Sequence, residues 1–385
     1  MWTLQDKYAI AGIGHTKYSA NSGTTVLNLA LEACRSAVED SGIAMDEIDG
    51  VVSYHFGDSV PSIAVATGLG LPAARYAVEF SSGGNAANLI VQTAAAAIEA
   101  GLARNVICFR AMNGRSGLRL GGGRDLNSRG ITQYTAPFGW ITYPQAMAMW
   151  CRRHMIRYGT TSEQLGAVAV SCRRNAALNP RAMMREPITL ADHQASRMIV
   201  EPFRLLDICL ESDGACAVLV TSSERARDLR RKPVYILGAA YGGGPNQGDD
   251  LFDAIRWPDH SHNYARYIAA DLWHSAGVGP RDIDVAEIYD CFTYSVLMQL
   301  EGFGFCDEGE GGAFVQAGGI ERDGEIPVNT HGGLLSEAYI HGLNHVVEAV
   351  EQLRGEAGPR QVPGAGLALT TAGAMTCGSA LVLRN

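Results

Sequence analysis

Two stretches late in the chain hold residue types that move protons. Tyr289-Asp290-Cys291-Phe292 sets a phenol, a carboxyl and a thiol side by side. Asn329-Thr330-His331-Gly332-Gly333 leads, after a short spacer, to Tyr339 and His341. A free phenol ionises near pH ~10, so a tyrosine base needs neighbours that favour its anion. His331 and His341 are the candidates for that tuning. A tyrosine ending a strand also has a plainer reading, as packing with its hydroxyl in water. Asp290 has one too, closing the turn after the strand.

Other chemistries find less support. The 9 cysteines are odd in number and scattered, with no C-x-x-C pair. That argues against a disulfide framework and a structural zinc site, and each is expected as a small buried hydrophobe. His341 and His345 have i, i+4 spacing, but no Glu follows the first in the metalloprotease pattern. They, His260 and His262 are expected as surface or packing residues, with no metal bound. Gly12-Ile13-Gly14 lacks the third glycine and downstream acid of a dinucleotide fingerprint. Gly242-Gly243-Gly244-Pro245 is expected to make a turn.

The net charge of −9, with no basic stripe, makes a poor nucleic-acid binder. No apolar run approaches the ~18 residues of a membrane span, and Met1–Lys7 lacks the form of a signal peptide. A cytoplasmic, membrane-free protein is expected. With 47% hydrophobic and 18% charged residues, the 385-residue chain has material for a large core.

The elements that must position these residues come in pairs. Tyr8–Ile13 reads as a first strand. Leu27–Asp40 has helical spacing, Gly42 stops it, and Gly50–Tyr54 reads as a strand. The pattern returns as helix Arg266–Ser275, stop Gly277 and strand Val285–Tyr289. Ser41–Tyr54 aligns without a gap on Ala276–Tyr289, so that Gly42 meets Gly277 and Tyr54 meets Tyr289. A buried helix Asn85–Gly101 and strand Asn105–Phe109 are echoed by helix Gly342–Gly355 and strand Gly366–Thr370. This is a duplicated α/β unit. Two helices buried on most sides predict a five-layer α-β-α-β-α stack. The halves are placed at 1–235 and 236–385. An irregular insertion at about 112–200, with Gly121-Gly122-Gly123-Arg124 and a helix near Met147–Tyr158, is expected to cover an active site.

The chain resembles the thiolase superfamily, in its lipid-transfer-protein branch, over essentially its whole length. The resemblance rests on Ser162–Pro180 with Asn179-Pro180, on Ser212-Asp213-Gly214-Ala215, on Tyr289–Phe292 and on Asn329–Gly333. It implies a duplicated thiolase fold. Thiolases hold a nucleophilic cysteine where this chain has Ser81, expected here only to cap a helix. Their second cysteine falls on or beside Ala372, with Cys377 differently placed. The family's two other catalytic positions, a histidine or asparagine and a histidine, fall on Tyr289 and Tyr339.

That combination looks like the thiolase-like aldolases of bacterial steroid side-chain degradation. It implies retro-aldol cleavage of a β-hydroxyacyl-CoA to a ketone and a short acyl-CoA. The implied substrate is a 17-hydroxy steroid with a three-carbon CoA side chain, releasing propionyl-CoA. Coenzyme A is then part of the substrate, and no cofactor is expected. Tyr339 is expected to take the hydroxyl proton and Tyr289 to protonate or hydrogen-bond the enolate, or the reverse. The resemblance also implies a homodimer core working with a separate small OB-fold, zinc-ribbon-bearing partner, as a heterotetramer. Two alternatives are an acyl-CoA thiolase using Cys291 or Cys377, and a non-catalytic acyl-CoA-binding scaffold.

Overall fold

The computed structural model describes residues 2–117, 119, 132–245, 247 and 257–385. Gly121-Gly122-Gly123-Arg124 lies outside them. Among the described residues eleven strands are formed: β1 (Tyr8–His15), β2 (Gly50–His55), β3 (Tyr76–Ser81), β4 (Val106–Asn113), β5 (Met198–Val200), β6 (Phe203–Arg204), β7 (Asp213–Ser222), β8 (Val234–Gly243), β9 (Val285–Glu287), β10 (Leu367–Ala372) and β11 (Cys377–Arg384). β5 and β6 make a separate ribbon. The rest form one mixed sheet in the order β3-β2-β4-β7-β1-β8-β11-β10-β9.

That order is two copies of one pattern meeting at β1 and β8. In each copy two parallel strands are followed by two antiparallel steps: β2-β4-β7-β1 and β9-β10-β11-β8. The place of β3 beside β2 is echoed by a parallel bridge from Ala286 to Val328. The repeat read from the sequence is therefore a repeat of sheet topology.

Helix Val26–Ser41 covers one outer face, against β1, β4 and β7, and helix Ala265–Ala276 covers the other, against β8 and β11. Both end on a left-handed glycine, Gly42 (φ 77°) and Gly277 (φ 70°). Helices Ala87–Glu99 and Leu343–Arg354 each touch strands of both halves, which puts them between the two parts of the sheet. The result is the α-β-α-β-α stack. Gly12 and Gly14 have a packing role: a Cβ at either would lie 2.1–2.2 Å from a carbonyl oxygen of helix Val26–Ser41.

One expected strand is shorter than its pattern. β9 ends at Glu287 rather than Tyr289. Side chains take over the ladder there. Ile288 N donates to Asn329 Oδ1 (2.7 Å), and Asn329 Nδ2 donates back to Ile288 O (2.9 Å). Tyr289 N donates to Thr371 Oγ1 (2.9 Å). Tyr289 thus sits on a short loop pinned at each peptide.

Beneath that loop lies a buried ionic network. His331 Nδ1 is 2.9 Å from Glu287 Oε2, close but off-line for a hydrogen bond, and His331 Nε2 is 3.5 Å from Glu337 Oε2. Thr330 Oγ1 lies 2.8 Å from Glu287 Oε1 and 2.7 Å from Glu348 Oε1. Arg360 pairs with Glu348 and Glu351, and Arg181 with Glu351. Asn179 Nδ2 donates to His331 O and to Glu337 Oε1, both at 2.9 Å. The network ties the end of helix Ser162–Ala177, in the insertion, to helix Leu343–Arg354 and β9.

Burial disfavours the charged form of both Glu287 and His331, which compete for a proton. Carboxylates of Glu337, Glu287 and Glu348 surround the imidazole, and they override burial to lift its pKa to about 9. The folded value exceeds the free value of 6.5. The stabilisation is therefore complete below about pH 6.5 and is lost as pH rises through about 9. Urea denaturation should show a larger gap between wild type and His331→Gln at about pH 6 than at about pH 10. An equal gap at both would mean that His331 is uncharged.

Candidate active site

Tyr289 stands where the two central helices begin. A Cβ on Gly84, the first residue of the 3₁₀ turn entering helix Ala87–Glu99, would lie 1.8 Å from the Tyr289 hydroxyl. A Cβ on Gly342, the N-cap of helix Leu343–Arg354, would meet the Tyr289 ring at 3.0 Å. The two glycines leave the space the phenol occupies. Helix N-termini carry partial positive charge, so this is a favourable place for a developing anion.

Tyr339 arrives from the other side. Its backbone N donates to Ser212 Oγ (3.0 Å), and its hydroxyl lies 3.0 Å from that of Tyr289. Tyr289 is buried (3% exposed), and Tyr339 is the more accessible of the two. Asp290 locks the two loops together: Oδ1 accepts from Leu334 N (2.8 Å) and Oδ2 from Leu335 N (3.2 Å). A Cβ on Gly333 (φ 64°) would lie 2.0 Å from Asp290 Oδ2, which accounts for the second glycine of the Gly-Gly pair. Asp290 does more than close a turn.

Burial pushes both phenols well above 10, with neighbouring thiols of Cys291 and Cys209 adding to it. Either hydroxyl can donate in the bond between them. The Arg110 charge lowers Tyr339, so an anion is better tolerated there.

His341 lies against Tyr339, with ring centroids 4.7 Å apart and planes at 84°. Its backbone is left-handed (φ 49°), unusual for a residue with a Cβ. It precedes the helix that holds His345, so helical spacing does not join them. The Nδ1 of His341 accepts from Arg110 Nε (3.2 Å) and Nη2 (2.9 Å). Arg110 is in turn ion-paired with Asp58. Burial and then Arg110 push His341 down to about 3, so it is neutral at ordinary pH. Arg110 and Asp58 were not among the sequence candidates.

His331 is set back from the phenols, in the ionic network. With Glu287 and His345 it brings ligand-type atoms within 4.8 Å of one another, all buried. The proton on His331 is what a metal ion there would have to displace. Of the other histidines, His260 packs edge-on to Trp150, and His262 lies 2.9 Å from Glu308.

Ser81 does not cap a helix. It is the last residue of β3, and helix Ala87–Glu99 has no side-chain cap. Ser82 Oγ instead donates to Asn85 Oδ1 (2.7 Å). Ala372 ends β10. Seven cysteines are buried, including Cys291 and Cys377, while Cys209 and Cys306 are half-buried.

Residues 251–385 match the thiolase C-terminal domain-like family. A steroid side-chain-cleaving aldolase of Thermomonospora curvata is 44% identical over 362 residues, 92% of each chain. The 17-hydroxy-3-oxo-4-pregnene-20-carboxyl-CoA lyase of Mycobacterium tuberculosis is 42% identical over 387 residues, 99% of this chain and 100% of that one. The solved Ltp2-ChsH2(DUF35) aldolase superposes with a TM-score of 0.91 at 42% identity, covering 100% of this chain and 99% of that one. Among the described residues, no helix is long and apolar enough to cross a membrane. The chain belongs to the thiolase superfamily, on the branch that holds these steroid side-chain-cleaving aldolases.

Proposed function

We propose that this chain is a carbon–carbon lyase that cleaves a β-hydroxyacyl-CoA by a retro-aldol reaction. The observation that carries this is the 3.0 Å contact between the hydroxyls of Tyr289 and Tyr339. The resemblance puts the thiolase cysteine positions on Ser81 and on or beside Ala372, neither of them a cysteine. The named relatives make a 17-hydroxy steroid with a three-carbon CoA side chain the preferred substrate. Its products are the 17-ketone and propionyl-CoA.

Two phenols whose pKa values lie well above 10 do not act as preformed bases. A relay suits them. Tyr339 accepts the proton of the β-hydroxyl as its own proton passes to Tyr289, and Tyr289 gives its proton to the α-carbon. The Cα–Cβ bond breaks, the hydroxyl oxygen becomes a ketone, and the electron pair moves through the thioester enolate to the new C–H bond. Both phenols end as they began. The two helix N-termini beside Tyr289 favour the enolate as charge develops. Coenzyme A enters as part of the substrate, and the relay draws only on groups of this chain. His341 tunes Tyr339 from beside it, and His331 braces the Tyr289 loop from below.

The assembly that fits is a homodimer bearing a small OB-fold, zinc-ribbon partner on each chain. Two observations support a dimer. Among the described strands β3 pairs only with β2, leaving a free sheet edge. Beside it Tyr76, Leu89, Ala96 and Leu102 line an apolar depression. The solved relative named as a two-protein complex supports the partner.

Tyr289→Phe and Tyr339→Phe should each lower kcat by about 100-fold or more while the protein stays folded. Mass spectrometry of products from the steroid thioester is the measurement. Near wild-type cleavage by both variants would remove the assignment. Loss of activity on thiol alkylation, with a trapped acyl-enzyme, would restore the thiolase reading. Binding without any short acyl-CoA product would favour the scaffold. Gly84→Ala should act like a phenol variant, because its Cβ needs the hydroxyl's place. Its kcat should fall at least about tenfold, with a much smaller change in KM. Unchanged kcat would mean that Tyr289 need not sit there.

A further inference from the structure

Arg110 is an oddity in its strand. It points from β4 into the core at 0% exposure, among neighbours such as Phe109 and Ala111. Burying a guanidinium is costly, and an acid partner offsets only part of the cost. One acid, Asp58, is present, and it is itself buried. What distinguishes the site is the third member. Nε and Nη2 of Arg110 both aim at one nitrogen of His341, at 3.2 and 2.9 Å. The contact spans 231 residues of chain, so nothing local imposes it.

A nitrogen accepting from a guanidinium carries no proton, so the hydrogen of neutral His341 is on Nε2. The rest of His341 is fixed as firmly. The Tyr54 hydroxyl donates to its carbonyl oxygen (2.7 Å), and the Tyr54 ring stacks on its ring at 6.4 Å and 23°. Arg110 Cζ lies 5.4 Å from the centre of the same Tyr54 ring. These contacts hold a non-glycine residue in a left-handed conformation, with its ring edge-on to Tyr339. Strain sustained this way marks a constraint the site requires.

We propose that Asp58 and Arg110 are positioning residues for the Tyr339 base. Through Nδ1 they fix the tautomer of His341 and the angle of its ring against the phenol that accepts the substrate proton. Asp58 orients the guanidinium, and its Oδ1 is held by Phe56 N (3.0 Å). This rests on the aldolase reading above and deepens it.

The test is a double-mutant cycle on the intact assembly, with the 17-hydroxy steroid thioester as probe. Misplacing the neighbour of a reacting group costs up to about 100-fold in rate. Arg110→Gln should therefore lower kcat by about that factor, with KM within about threefold of wild type. Arg110→Lys keeps the charge and should recover part of the loss. His341→Gln should also lower kcat. Adding Arg110→Gln to it should then cost markedly less than Arg110→Gln costs alone, because the arginine acts through the histidine. Losses that multiply independently, or a loss confined to KM, would overturn the proposal. If Arg110→Gln does not fold, Asp58→Asn decides: it keeps the guanidinium and should lower kcat alone, and an unchanged kcat would refute the idea. A wild-type assembly that does not cleave the thioester would instead sink the aldolase reading.

Discussion

The structure turns on one contact, the 3.0 Å approach of the Tyr289 and Tyr339 hydroxyls. Two phenols on separate irregular loops hold that distance only if each loop is fixed from several sides. Asn329 and Thr371 fix the peptides on either side of the Ile288–Tyr289 step. Ser212 holds the peptide of Tyr339. Asp290 clamps one loop to the other, and Asn179 holds the carbonyl of His331. The short motifs scattered along the sequence are thus parts of one brace. Each supplies a side chain that satisfies a buried backbone group which strand or helix would otherwise satisfy.

Electrostatics around the pair follow from burial. Free carboxylates beside the phenols would repel a developing enolate, and free cations would hold it too tightly to protonate. The charges are instead closed on one another in two groups. Below Tyr289 the imidazolium of His331 and two arginines face four glutamates. Beside Tyr339 the Asp58–Arg110 pair ends on a neutral histidine. Beside these groups burial raises the pKa of both phenols, which stay uncharged.

How much of this was legible in sequence depended on whether the cause was local. Gly42 and Gly277 stop helices through their own backbone freedom, so the duplicated unit could be read from spacing. Tyr289 and Tyr339 were found only because neighbouring motifs fixed their alignment. Arg110 escaped because its partners are 52 and 231 residues away, and an arginine in an apolar strand looks like an ordinary edge residue. The early end of β9 escaped for a related reason. Its apolar pattern runs on to Tyr289, and only Asn329 and Thr371 stop the ladder. His341 and His345 looked like a helical pair, but His341 is left-handed and lies before the helix.

Duplication also explains why this fold tolerates a change of chemistry. Two copies of one α/β unit face each other, and their buried helices begin close together. A region where two helix N-termini meet stabilises negative charge whatever side chain is placed there. With a cysteine, that field favours a thiolate and hence acyl transfer. Here Gly84 and Gly342 leave room at the two helix starts for the ring of Tyr289. A phenol is a poor nucleophile toward a thioester but a competent proton donor to carbon, so the same field serves an enolate instead. The glycines therefore matter as much as the tyrosines. They leave the space at the helix starts that the Tyr289 phenol fills.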